Sequence, residues 1–295
     1  MIYSLYIPLA IGCLMGMAAP WVARRLAPPA ATKLLSAVAV LSSGATTATL
    51  TLLAVGGMIK VAAFLGVGAS REALVAERDG VPWPVGVAAV IALIVLSART
   101  TKTLARERRA VKDLSGLVEG HRGGLLVLED RRSFAYAVPL GAGTIIVSTA
   151  MLEPLTEAER KALLAHERAH LTHHHRLYRT TASITAATNP LLNGIQRELK
   201  LQTERWADEA AAARTTRAVT ATSLAKAALA ASGSPSAALA YVSNHLRERI
   251  AALAVAPPTS HWARAIPIAA GAALLSVALL DALHACLAIL TLWYP

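Results

Sequence analysis

The chain has 295 residues, 55% of them apolar and only 4% aromatic, and a mean hydropathy of +0.49. That is too apolar for an ordinary soluble enzyme, and an excess supplied by Ala, Leu and Val suits helices in lipid. A net charge of +11 with a pI near 10.2 could suggest nucleic acid. No recognisable nucleic-acid module accompanies that charge, so direct nucleic-acid binding is not expected.

Taken in chain order, the first apolar runs cover 2–23, 34–58 and 81–98, each long enough for a bilayer core of about 30 Å. The first is a poor cleavable signal peptide, because no basic residue precedes it. Trp83 is placed as an interfacial anchor of the third. Arg24, Arg25 and Lys33 fill the first connection with no acidic residue, whereas Lys60, Arg71 and Arg78 in the next are balanced by Glu72, Glu77 and Asp79. After the third run come Arg99, Lys102, Arg106, Arg108, Arg109 and Lys112. The positive-inside rule therefore puts the first connection and everything after the third run in the cytoplasm. Basic clusters beside the spans also suit anionic lipid headgroups.

Residues 99–264 form the one long stretch outside apolar runs, enough for a core of their own. A basic helical linker to Leu114 opens it. Strand-like runs follow at 124–128, 133–138 and 144–148, separated by turn-like Glu129–Arg132 and Pro139–Gly143 segments, and predict a small antiparallel sheet. A helix then starts at Thr156, with Glu159 three residues on completing a capping box. Residues 178–192 are weakly polar and Thr/Ala-rich, end at Asn189-Pro190, and suit the membrane surface better than a full span. Helix is expected from about Leu191 to Ala231, then a linker at 232–236, an amphipathic helix over 241–253, and Pro257-Pro258. A fourth span fills 265–295, apolar to Trp293, with Tyr294 also interfacial. Asp281 and His284 lie one turn apart inside it, where ionisable groups usually face the bundle interior or a partner. Cys13 and Cys286 both fall inside spans, which excludes a disulfide framework and a cysteine-zinc site.

The most informative residues are His166-Glu167-Arg168-Ala169-His170, an H-E-x-x-H sequence well inside the capped helix. Residues four apart share one helix face, so two imidazoles can grip one Zn²⁺ with the glutamate beside a water that the metal activates. A catalytic zinc site needs a third protein ligand and an open position. Glu204 can supply that ligand, and Asp208, one turn further, can hydrogen-bond the outer nitrogen of a ligating imidazole. His173, His174 and His175 point in different directions on a helix and read as its polar end. An extended substrate could add to an open edge of the preceding sheet.

With these pieces assembled, the chain resembles the BlaR/MecR-type integral-membrane zinc metallopeptidases. The resemblance rests on Thr144–Ser148, Leu155-Thr156-Glu157 and Leu164–His170, then Asn189-Pro190-Leu191 and Glu204-x-x-Ala207-Asp208, with Arg249-Ile250-x-x-Leu253 as a fourth element. The related HtpX-like and CAAX-prenyl-protease-like peptidases share the H-E-x-x-H and E-x-x-A-D elements. The resemblance implies His166, His170 and Glu204 as ligands of one Zn²⁺ per chain, Glu167 as general base and Asp208 behind them. It also implies a membrane α-helical fold carrying a mainly α, gluzincin-like (α+β) peptidase domain: three spans within 1–98, a cytosolic zinc domain over 99–264 and a fourth span. The chain ends two residues after Trp293, without the penicillin-binding sensor domain of the antibiotic receptors, so a β-lactam sensor role is not expected.

The leading expectation is a plasma-membrane zinc endopeptidase with both termini outside. It would cut a cytosolic protein such as a transcriptional repressor, and a homodimer is compatible with this. The alternatives are a membrane-protein quality-control peptidase and a non-catalytic sensor that keeps zinc for structure. Glu167 argues against the last, since a purely structural site does not require it.

Overall fold

The computed structural model describes residues 2–65, 81–118, 120, 123–231, 238–256 and 266–291. The balanced connection after Lys60, the 232–236 linker, Pro257-Pro258 and Trp293-Tyr294 lie largely or wholly outside them. The first apolar run forms α1 (Ile2–Ala23) with the predicted bounds. The next two form longer helices than hydropathy predicts, α2 (Pro28–Phe64) and α3 (Trp83–Leu117). No Pro or Gly separates the third apolar run from the basic segment after it, so both join in one helix. By length and composition α1, α2 and α3 could each cross a membrane. The helix over the fourth run (Ile266–Thr291) carries a shorter apolar segment, Ile268–Ala278, among its described residues. Helices α2 and α3 meet where Gly57 faces Gly86, and a Cβ on either would overlap the other's backbone.

Strands β1 (Gly124–Leu128), β2 (Ala135–Val138) and β3 (Thr144–Ser148) form a mixed sheet, not the antiparallel one expected. The order is β1-β3-β2, with β1 parallel and β2 antiparallel to β3. The reason lies in burial: all five residues of β3 are buried, so it takes the centre, and the half-exposed β1 and β2 flank it. Ser148 ends the sheet by capping the short α4 (Thr149–Leu152).

Helix α5 (Glu157–Thr172) carries the H-E-x-x-H sequence and begins with the predicted Thr156–Glu159 capping box. The histidine run is not a plain helix end. His173 caps α5, His174 adopts φ 52°, and His175 starts α6 (His175–Thr188). That left-handed residue turns the chain sharply, a conformation histidine tolerates better than most side chains. Asn189 ends α6, and a 3₁₀ turn (Pro190–Leu192) leads to α7 (Asn193–Arg214). The expected single helix to Ala231 breaks at Thr215, and the Thr216 hydroxyl accepts from the Val219 N–H at the start of α8 (Arg217–Ala231). Helices α9 (Ala238–Leu253) and α10 (Ile266–Thr291) complete the chain. Asp281 and His284 are both exposed on α10, so neither turns toward the bundle interior. One apolar core joins Leu26 and Leu35 at the α1–α2 end to Ala182, Leu192, Ile195 and Leu199 of α6 and α7, and to Leu275 of α10.

Candidate metal centre

Two helices build the centre. Helix α5 presents His166 and His170 on one face, and α7 crosses it to present Glu204 and Asp208 from successive turns. The Nε2 atoms of His166 and His170 lie 3.1 Å apart. Glu204 Oε2 is 3.5 Å from His166 Nε2, and Oε1 is 3.9 Å from His170 Nε2. One ligand atom from each of the three residues lies within 4.8 Å of the others. Two donors held tetrahedrally at 2.0–2.1 Å from Zn²⁺ sit about 3.4 Å apart, so this donor set fits that ion.

The outer nitrogens explain why the inner ones converge. His166 Nδ1 is 3.0 Å from Asp208 Oδ1, which holds a proton on Nδ1 and aims Nε2 inward, where its lone pair is free once a metal displaces the second proton. His170 Nδ1 is 2.9 Å from Nδ1 of His175. When His170 donates there, its Nε2 lone pair faces that of His166. His175 is fully buried, its Nε2 has no hydrogen-bond partner among the described residues, and its ring stands against that of Trp206 with centroids 4.9 Å apart. His173 also stacks on that indole, at 4.5 Å, and its ring lies 5.7 Å from that of His175.

The electrostatics call for a positive charge at the meeting point. Burial opposes protonation of His166, yet the hydrogen bonds to Asp208 and Glu204 push its pKa up to about 10. Burial, reinforced by the charge on His166, pulls His170 down to about 3. Glu204 stays well below the usual carboxylate range despite burial, because Arg249 and His166 stabilise its anion. Burial raises the Glu167 carboxyl, and that side chain makes no hydrogen bond or ion pair among the described residues.

The chain positions two further residues whose part spacing alone did not reveal. Arg249 of α9 donates twice to Asp208, at 2.8 Å each, and reaches Glu204 Oε2 at 3.1 Å. Arg179 of α6 reaches Glu204 Oε1, also at 3.1 Å. Arg249 had a sequence signal in the Arg-Ile-x-x-Leu element, whereas Arg179 had none. His175 could have been found as the residue nine positions after His166, one turn beyond His170 if the helix is interrupted.

Two cavities meet at Glu167. One, of 390 Å³, is lined chiefly by apolar groups including Met151, Leu163, Leu201, Leu224 and Ala227. The other, of 690 Å³, is lined by polar residues including Arg176, Arg179, Gln196 and Lys200. Ala135 and Tyr136 of the edge strand β2 border both.

Residues 101–185 match the model of Peptidase family M48. The matched stretch includes the H-E-x-x-H helix and His175 but ends before Glu204, Asp208 and Arg249. No curated protein and no solved structure matches the chain. The family match supports a metallopeptidase, with a candidate His-His-Glu metal site.

Proposed function

We propose that the protein is a membrane-embedded zinc endopeptidase of the BlaR/MecR type, cutting a protein on the cytoplasmic side of the plasma membrane. The spans serve as the sensing part, and a transcriptional repressor is the leading substrate class. The observation that carries the reading is the convergence of His166, His170 and Glu204 to within 4.8 Å beside Glu167, which has no hydrogen-bond or ion-pair partner among the described residues. The charge pattern along the chain supports the orientation, with 99–264 inside and both termini outside, and the apolar run over 265–295 supports a fourth crossing.

His166, His170 and Glu204 would hold a Zn²⁺, which would supply a Lewis acid for a carbonyl oxygen and lower the pKa of water toward 7. Asp208 and His175 hold the two imidazoles with Nε2 inward, and Arg249 balances the charge of Asp208 and Glu204. Glu167, poised by burial, takes the proton of the attacking water and passes it to the leaving amine nitrogen. The edge of β2 offers backbone groups to an extended substrate, and the 390 Å³ apolar cavity receives a side chain next to the cut bond.

The test is a quantitative comparison of protein N-termini in cells carrying wild type or Glu167→Gln. Fragments present only with wild type are expected; identical fragment sets with both would remove the peptidase reading.

A further inference from the structure

We infer that α6, the 3₁₀ turn and α7 form a re-entrant hairpin whose tip, Asn189–Leu192, enters the hydrocarbon of the bilayer from the cytoplasmic side. The inference rests on the membrane part of the proposed function, that α1 and α2 cross the bilayer, and is independent of peptidase chemistry.

Four observations place the tip at that depth. Asn189, 2% exposed, donates through Nδ2 to Thr46 Oγ1 at 2.8 Å. Thr46 lies midway along α2 between Lys33 and Lys60, the two charged residues of that helix. On the other side Leu192, 1% exposed, packs beside Gly16, well inside α1. Finally, the 17 residues from Thr180 to Gln196 contain no ionisable side chain, and Arg179 and Arg197 bracket them. Pro190 and Leu191 at the very tip are exposed, Leu191 by 60%, which in this setting means facing lipid.

The segment has too many hydroxyls for hydropathy to mark it, but lipid tolerates hydroxyls that are bonded internally. Ser183, Thr185 and Thr188 each donate to the carbonyl four residues back, at 3.0 Å. Asn189 Oδ1 accepts from the Leu191 N–H at 3.0 Å, which satisfies the exposed turn.

The depth fixes the height of the metal centre. From Asn193 to Glu204 is eleven residues of α7, about 16 Å at 1.5 Å each. From Asn189 back to Arg179 is ten residues, about 15 Å on the same rise. Half of a bilayer core is about 15 Å, and Arg179 and Glu204 are paired at 3.1 Å. Arg24, at the cytoplasmic end of α1, pairs with Glu198 at 2.9 Å, and Thr188 meets Thr100, just past the third apolar run, at 3.1 Å, so the tip lies in the cytoplasmic half of the bilayer and the Arg179–Glu204 pair, with the metal ligands, on its cytoplasmic side.

Single cysteines at Leu191, Val40 and Lys200 in a Cys13→Ala/Cys286→Ala background test this. Each is reacted in inside-out vesicles with a membrane-impermeant maleimide. Val40 is an exposed residue of α2 between Lys33 and Thr46, and Lys200 is exposed on α7 beyond the charge-free stretch 180–196. Labelling at Lys200→Cys with protection at Leu191→Cys and Val40→Cys, relieved by detergent, is the expected result. Labelling at Leu191→Cys with protection at Val40→Cys overturns the hairpin alone. Labelling at all three removes the membrane reading beneath it. As a second readout, Leu191→Trp fluorescence should be quenched more by lipids brominated deep in the acyl chain than by lipids brominated near the headgroup; the reverse order also overturns the inference.

Discussion

Asp208→Ala is the substitution whose effect the geometry defines most closely. The carboxylate accepts from His166 Nδ1 at 3.0 Å and from two Arg249 nitrogens at 2.8 Å each. Its removal frees the His166 ring to rotate or change tautomer, and loss of such an orienting partner lowers metal affinity roughly 10–100-fold, or about 1.4–2.7 kcal/mol. A second effect acts in the same direction. Arg249 keeps its contact with Glu204 Oε2 at 3.1 Å and, lacking Asp208, competes more strongly for the oxygen the metal needs. Asp208→Asn should fall between the two, because its amide oxygen still accepts from His166 while its amide nitrogen faces Arg249. Competition against a chromophoric zinc chelator, with detergent-purified protein, measures the affinity. An Asp208→Ala affinity within twofold of wild type would refute the orienting role.

The remaining predictions concern other layers of the molecule. His175→Ala should weaken zinc binding by a similar 10–100-fold, and His175→Asp should recover most of it, since a carboxylate also accepts from His170 Nδ1; chelator competition reads both. Glu159 is held down near pKa 2, first by Lys226 Nζ at 2.7 Å and then by the Thr156 N–H. A depressed carboxyl stabilises above its unfolded pKa of about 4.3 and loses that contribution as pH falls through its folded value. The gap in thermal stability between wild type and Glu159→Gln should therefore close between about pH 4.3 and pH 2. Gly86→Ala should force α2 and α3 apart at Gly57, lowering the melting temperature in detergent by an overpacking cost of about 1–3 kcal/mol; an unchanged melting temperature would mean that the crossing is not tight.

What could be read from the sequence was what local chemistry dictates. The bounds of α1, β1 and β3, the Thr156–Glu159 capping box and a bond from Asp208 to the outer nitrogen of one of the two imidazoles follow from periodicity, capping residues and motif spacing; that the imidazole is His166 does not. Sheet order did not follow, because β1 and β2 both alternate and only the full burial of β3 decides which strand is central. The left-handed turn at His174 was hidden because histidine carries no backbone signature as strong as glycine's; that turn is what brings His175 back onto His170. Arg179 and Arg249 reach Glu204 from 25 and 45 residues away in the chain, a distance over which no periodicity operates. The polar Thr/Ser content of α6 likewise masked its packing against α2, since hydropathy counts a hydroxyl the same whether or not a carbonyl accepts from it.

Metal analysis of purified wild type beside His166→Ala, His170→Ala and Glu204→Ala tests the convergence of these three side chains most directly. One zinc per wild-type chain, lost or sharply reduced in each variant, is the predicted result. Wild-type protein with no stoichiometric metal, or full retention of zinc by Glu204→Ala, would contradict it.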